Sequence, residues 1–300
     1  VVGVYGPTAW LVAFFGGGAA FILQGPEAME FIRQAFNRVK DTLVPDAVVA
    51  NPGRARTPLS TSTDKVSSSR HRVGELTLDP RHLESRRVVA HDVHDPRAKS
   101  FDILRTQVLR TMDTSHWQML AVTSPTPGCG KTLTSVNLAL SIARQSDRAV
   151  LLVDLDLQKP QVAACLGLTC STGVLSVVEG ATRLQDALIS ARIAGSRIAV
   201  LATEQPVSGS SEWMTSAGMR AMLQAIRSDF QSWTVILDLP PVLVSDDVIA
   251  VLPQIDCAIM VAAAGKSRRS DIEEASRHLA ATDVIRVVLN KVPEDVTRYY

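Results

Sequence analysis

From Met119 onward, short uninterrupted apolar runs alternate with stretches whose apolar residues recur every three or four positions. The runs begin at Met119, Ala149, Ile198, Thr234, Cys257 and Val284, and each has the length of a strand buried on both faces. Helical spacing between them predicts helices near Lys131 and over residues 211–230, 245–252 and 268–281. Upstream, Phe101, Leu104, Val108 and Met112 mark one more amphipathic helix. This alternation predicts an α/β domain over residues 96–300, a parallel sheet flanked by helices on both faces.

The pattern changes towards the N-terminus. Residues 1–24 carry no charge and are mostly apolar, enough for a helix to cross about 30 Å of hydrocarbon, so a transmembrane helix is expected there. Over residues 25–44, Met29, Ile32, Phe36 and Val39 share a helical face while Arg33, Arg38 and Lys40 occupy the rest. That arrangement suits a helix lying on an anionic cytoplasmic leaflet or packed on protein. Residues 45–95 contain a Pro-, Ser-, Thr- and Arg-rich stretch without apolar period, read as a flexible cytoplasmic linker in which His91 and His94 are solvated. The expected location is the inner membrane with the domain in the cytosol. The chain opens on Val1 rather than Met, as a downstream part of a longer protein would.

Composition narrows the function. With 31 basic and 30 acidic residues and only 5% aromatics, no basic, base-stacking surface is expected, and nucleic acid is excluded as a partner. Four cysteines, Cys129, Cys165, Cys170 and Cys257, lack the spacing of a zinc site and the density of a disulfide scaffold, and suit a reducing cytosol.

The chemistry begins between the first run and its helix, where residues 124–132 read Ser-Pro-Thr-Pro-Gly-Cys-Gly-Lys-Thr. Backbone N–H groups of a Gly-rich turn at a helix N-terminus point at anionic oxygens. A lysine and a hydroxyl complete a site for phosphate and Mg²⁺, so Thr126, Pro127, Gly128, Cys129, Gly130, Lys131 and Thr132 are the predicted ATP-binding loop. Pro125 stands where the first glycine of such loops is usual. Two later runs end in carboxylates, one at Asp154 with Asp156 just beyond and one at Asp238. Strand ends of a parallel sheet are where ligands sit, so these acids are expected to meet the loop. Cys129 beside Lys131 is read as a small space-filler, with a redox role as the rival reading.

These segments resemble the bacterial tyrosine kinases of capsule and exopolysaccharide synthesis, the BY-kinases, within the P-loop NTPases. The resemblance rests on Asp154-Leu155-Asp156 followed by Lys159-Pro160, on residues 235–241 around Asp238, on residues 173–176 and 211–214, on Asn290-Lys291 and on the terminal Tyr299-Tyr300. It implies that Thr132, Asp154 and Asp238 serve Mg²⁺, that Lys131 neutralises phosphate charge, that Asp156 activates the attacking tyrosine and that Asn290 contacts the base. It also implies Tyr299 and Tyr300 as phosphoacceptors, neighbouring copies of the chain as partners, and polysaccharide export or polymerase membrane proteins nearby. The implied activity is ATP-dependent tyrosine autophosphorylation, with an ATP-binding regulatory module of weak or absent kinase activity as the alternative.

Three departures bear on that reading. The family's Glu-x-x-Arg-x-x-Arg contact helix reads Lys99, Asp102 and Arg105 here, which sets ring formation through the usual ion pairs in question. Gln158 replaces an arginine, and the tyrosine tail is short. Thr126 occupies the place of the lysine by which membrane-positioning and partition ATPases reach across a dimer, which argues against their mechanism.

Overall fold

The structure, a computed structural model, describes residues 10–15, 20–24 and 75–292. Ten strands form one sheet: β1 (Trp10–Phe15), β2 (Ala20–Gln24), β3 (Leu76–Thr77), β4 (Met119–Thr123), β5 (Val150–Asp154), β6 (Ile189–Ile193), β7 (Ser196–Leu201), β8 (Thr234–Asp238), β9 (Cys257–Ala263) and β10 (Asp283–Val292). Their order is β2-β1-β10-β9-β4-β8-β5-β7-β6-β3. The six strands legible as apolar runs form the uninterrupted parallel centre, β10-β9-β4-β8-β5-β7.

The helices are α1 (Pro80–Ser85), α2 (Ala98–Ser115), α3 (Lys131–Ala143), α4 (Val162–Leu166), α5 (Val174–Val178), α6 (Leu184–Ala187), α7 (Ser210–Thr215), α8 (Ala217–Asp229), α9 (Asp247–Val251) and α10 (Arg269–His278). Both faces of the central strands are covered, which is why those strands read as continuous rather than alternating apolar runs. On β4, Leu120 and Val122 pack into the cluster containing Leu104 and Val108 of α2 and Leu138 and Ile142 of α3. Met119 and Ala121 face the opposite cluster, with Met219, Met222, Leu223 and Ile226 of α8.

The helix expected over residues 211–230 is two helices. Ser216 is extended, and its hydroxyl accepts from Met219 N at 3.0 Å, capping α8 afresh. β6 is a further strand that no apolar run predicts. It pairs antiparallel with β7 through a two-residue turn in which Ala194 (φ 47°) and Gly195 (φ 82°) are both left-handed, the geometry that matches strand twist.

The transmembrane helix expected over residues 1–24 is corrected at its described residues. Trp10–Phe15 pairs parallel with β10, from Trp10 opposite Arg286, and antiparallel with Ala20–Gln24. An uncharged apolar run does not by itself distinguish a helix from strands, and Gly16-Gly17-Gly18, costly in a helix, separates two apolar stretches of strand length. The free edge of β10 supplies the ladder that the first half completes. Among the described residues no helix is long and apolar enough to cross a membrane. The amphipathic segment 25–44 and linker residues 45–74 lie outside the described residues.

The linker assignment is also corrected, for residues 75–95. Leu78 and Leu83 are buried in the core, as are Val88, Val89 and Ala90. Their anchor is Asn137, buried on α3, whose Oδ1 accepts from Val89 N at 2.8 Å and Ala90 N at 2.9 Å. Its Nδ2 donates to Leu133 O at 2.9 Å and Arg87 O at 3.3 Å. That anchoring amide lies 48 residues beyond Val89 in the sequence, where no local pattern reveals it. His91 is half-buried and His94 exposed.

Asn137→Ala strips two buried backbone N–H groups of their acceptor, and each such loss costs roughly 1–3 kcal/mol. Urea unfolding of the variant should show about 3 kcal/mol less stability, with hydrogen exchange at Val89 and Ala90 accelerated. A loss below about 0.5 kcal/mol would mean that this segment is not part of the cooperative fold.

Candidate active site

Register brings the acids together. Asp154 and Asp238 are Cα partners on the neighbouring strands β5 and β8, and Asp238 also lies opposite Val122 of β4, one residue before that strand ends. The loop of residues 124–130 leaves β4 at the same edge and enters α3, so adjacent strand ends set two carboxylates beside the predicted phosphate loop.

The loop needs glycine at two places only. Gly128 (φ 75°) and Gly130 (φ 96°) are left-handed, and a Cβ on Gly130 would run into the Asn290 side-chain amide. Pro125 is accommodated because its contribution is a carbonyl, which accepts from Leu243 N at 3.2 Å, while Ser124 O accepts from Val242 N at 2.8 Å. The segment after Asp238 thus buttresses the start of the loop. Gly130 forms the N-cap of α3 without a side-chain capping bond, so no side chain of the loop competes with an anion for the helix's first N–H groups.

Lys131 lies between carboxylates. Its Nζ is 2.8 Å from Asp156 Oδ2 and 3.4 Å from Asp238 Oδ2, with Thr132 Oγ1 at 3.2 Å. Thr132 Oγ1 donates to Asp238 Oδ2 at 2.6 Å, and Ser135 Oγ donates to Asp238 Oδ1 at 2.9 Å. Asp154 is held by backbone: Oδ1 accepts from Asp156 N, and Oδ2 from Gln161 N and Val162 N at 3.0 and 2.9 Å. One acceptor position on Oδ1 therefore remains. Asp156 Oδ1 accepts from Lys159 N at 3.1 Å.

Burial decides the electrostatics here. It pushes the Asp154 carboxyl up to about 8, with the neighbouring charge of Asp238 adding to the effect. Asp238 is also raised, because burial outweighs its bonds from Lys131, Thr132 and Ser135. Burial disfavours the Lys131 ammonium, but Asp238 and Asp156 more than compensate and hold its pKa above the ordinary lysine value. Carboxyl pKa values raised on folding mean that the folded state binds the extra protons, so this cluster costs stability increasingly as pH rises from about 4 towards 8.

Mg²⁺ fits the donor set of Thr132, Asp238 and Asp154, all hard oxygens. Among the described residues no three His, Cys, Asp or Glu side chains group into a metal cage. Mg²⁺ prefers one or two carboxylates completed by substrate phosphate and water, which this arrangement offers.

The remaining predicted positions divide. Pro127 and Gly128 are exposed at the rim, whereas Cys129 is fully buried, donating through Sγ to Thr126 O at 3.1 Å and lying 3.4 Å from Ser267 Oγ. Packing accounts for it. Thr126 is half-buried at the loop's turn, where its carbonyl also accepts from Ser124 Oγ. Asn290 joins the loop, its Nδ2 donating to Cys129 O at 2.9 Å. Tyr299 and Tyr300 lie outside the described residues. Two lysines without an assigned role in the sequence reading also meet the loop: Lys291 Nζ donates to Gly128 O at 2.8 Å, and Lys266 Nζ lies against Gly128. The pair Asn290-Lys291 at a strand end was a usable signal for the first; nothing in the sequence marked the second.

The departures have structural counterparts. Asp102 accepts from Arg144 at 2.8 Å, Arg105 at 3.1 Å and Ser141 at 2.6 Å, so α2 and α3 use this charge between themselves. Gln158 donates to Ser210 Oγ, which in turn donates to the buried Asp247 at 2.6 Å.

Comparison with known proteins fits this geometry. The family model of the CobQ/CobB/MinD/ParA nucleotide binding domain, CbiA, matches residues 120–299. The chain belongs to that family. Within this CbiA-type fold, tyrosine-protein kinase CpsD of Streptococcus pneumoniae serotype 4 is 29% identical over 188 residues, covering 61% of this chain and 79% of CpsD. EpsB of Ralstonia nicotianae is 29% identical over 207 residues, covering 68% of this chain and 27% of EpsB. The chain thus spans about a quarter of the length of EpsB. The kinase domain of the Escherichia coli tyrosine kinase ETK superposes with a TM-score of 0.63 at 24% identity, covering 71% of this chain and 83% of that one, which establishes the shared fold.

Lys131→Met leaves Asp156 and Asp238 buried without their cation, a loss of about 3 kcal/mol at pH 8. Protonation of Asp238, whose carboxyl pKa burial already raises, relieves the loss in acid, so the deficit in thermal stability of nucleotide-free protein should shrink from pH 8 to pH 5. A deficit that is constant with pH would contradict the charge arrangement described.

Proposed function

We propose that this domain transfers the γ-phosphoryl group of Mg-ATP to tyrosine hydroxyls, with Tyr299 and Tyr300 on neighbouring copies as acceptors. The observation that carries the proposal is the clasp of Lys131 between Asp156 and Asp238 at the mouth of the phosphate loop. It gathers a phosphate-neutralising cation and a carboxylate for the acceptor proton in one crevice. Phosphoryl transfer needs such positioning and charge balance more than covalent assistance.

Thr132, Asp238 and Asp154 would hold Mg²⁺, which neutralises charge on the phosphates when bound. Loop N–H groups bind the phosphate oxygens, and phosphate competes with Asp156 for the Lys131 ammonium. Asp156, freed of its ion pair, then takes the proton of the attacking hydroxyl as the new tyrosine O–P bond forms and the bond to the bridging oxygen of ADP breaks. A tyrosine with pKa of about 10 is protonated at neutral pH and needs that acceptor.

The same proposal places the domain at the cytoplasmic face of the inner membrane, beside polysaccharide export or polymerase proteins. Its support is the resemblance to the capsule and exopolysaccharide kinases and the basic amphipathic pattern of residues 25–44. The second reading is an ATP-binding regulatory module. It draws support from Asp102, whose charge is spent inside the chain rather than offered to a neighbour.

Incubation of purified protein with Mg-ATP should yield phosphotyrosine. Asp156→Asn should reduce its rate of formation by at least about 100-fold, within the usual range for loss of a general base. The Tyr299→Phe/Tyr300→Phe double variant should lose the signal while still binding ATP. Nucleotide binding without any phosphotyrosine would reject the kinase reading in favour of the regulatory one.

A further inference from the structure

Two cationic side chains besides Lys131 converge on the phosphate loop. The place a Cβ on Gly128 would take is 2.5 Å from Lys266 Nζ, so the missing side chain of this left-handed glycine (φ 75°) is what admits the ammonium. Lys291 Nζ approaches the same residue and donates to its carbonyl at 2.8 Å. Neither lysine forms an ion pair with a carboxylate among the described residues. Lys291 is satisfied by a carbonyl. Lys266 is exposed and keeps its donors for something else.

The placement of Lys266 is built rather than incidental. It sits in the turn between β9 and α10, after Gly265 (φ 70°). Ser267 fastens that turn: its hydroxyl accepts from Ala263 N at 2.9 Å, and its backbone N donates to Ala263 O at 2.9 Å. The same hydroxyl lies 3.4 Å from Cys129 Sγ inside the loop. Asn290 holds the other side of the loop through Cys129 O. Two ammonium groups brought to one glycine repel each other, and a polyanion beside that glycine removes the cost.

We propose that Lys266 is a second phosphate-binding residue of the nucleotide site, reaching the polyphosphate of a nucleoside di- or triphosphate from the turn after β9. The proposal rests on the nucleotide-binding reading above and adds a specific contact to it. It also supplies, from within the same chain, a cation near a loop whose position 126 is threonine.

Calorimetric titration tests it with Mg-ATP, Mg-ADP and adenosine against the wild-type chain, Lys266→Ala and Lys266→Arg. Loss of one charge-assisted contact predicts about tenfold weaker Mg-ATP binding by Lys266→Ala. It also predicts a shallower salt dependence, substantial recovery in Lys266→Arg, and unchanged affinity for adenosine. The thermal midpoint of nucleotide-free Lys266→Ala should not fall below wild type, since the side chain is exposed and its removal relieves the repulsion from Lys291. Mg-ATP affinity of Lys266→Ala within twofold of wild type would overturn this inference alone. Equal weakening towards adenosine would also overturn it, by showing a distorted loop instead of a lost phosphate contact. Failure of the wild-type chain to bind Mg-ATP would overturn it together with the nucleotide reading.

Discussion

A single buried ammonium facing more than one buried carboxylate is the constraint around which this domain is organised. Lys131 Nζ lies 2.8 Å from Asp156 and 3.4 Å from Asp238, and Asp154 sits beside Asp238 on the next strand. Three carboxylates against one ammonium cannot all ionise cheaply in a crevice from which water is largely excluded. The raised pKa of Asp154 and Asp238 is the expression of that excess. A divalent cation brought in with a polyphosphate changes the balance: the metal meets the carboxylates, and the phosphate meets the lysine and the helix N-terminus.

The rest of the fold keeps those groups in register. Parallel pairing of β5 and β8 makes Asp154 and Asp238 neighbours, and pairing of β8 with β4 delivers the loop to them. Segments from both sides hold the loop itself: the chain after Asp238 through Ser124 and Pro125, and the ends of β9 and β10 through Ser267, Asn290 and Lys291. The site is therefore a property of five adjacent strand ends, β10-β9-β4-β8-β5. Within the loop the backbone turns left-handed only at Gly128 and Gly130. Farther out, the pairing of Asp102 with Arg105, Arg144 and Ser141 ties α2 onto α3, the helix that carries Lys131.

Much of this was legible in residues alone, for a physical reason. A strand buried on both faces leaves a continuous apolar run, so β4, β5, β7, β8, β9 and β10 were located within two residues of their starts. Lys131, Thr132, Asp154, Asp156 and Asp238 stood out because each terminates or follows such a run. What escaped depended on contacts distant in sequence. Residues 75–95 are held by Asn137, which no local period reveals, and the uncharged segment ending at Gln24 contains strands because β10 offers it an edge. Lys266 lay in an unremarkable turn, and only folding sets its ammonium against Gly128.

Counting protons during nucleotide binding probes the central charge balance most directly. Calorimetric titration of Mg-ATP near pH 7, repeated in buffers of different ionisation enthalpy, gives the number of protons exchanged. With Asp154 raised to about 8 in the nucleotide-free protein, the arrangement predicts a net release approaching one proton as the carboxyls ionise against the incoming metal. Binding without proton release, or no binding heat in any buffer, would contradict the account of a crowded acidic crevice completed by Mg-nucleotide.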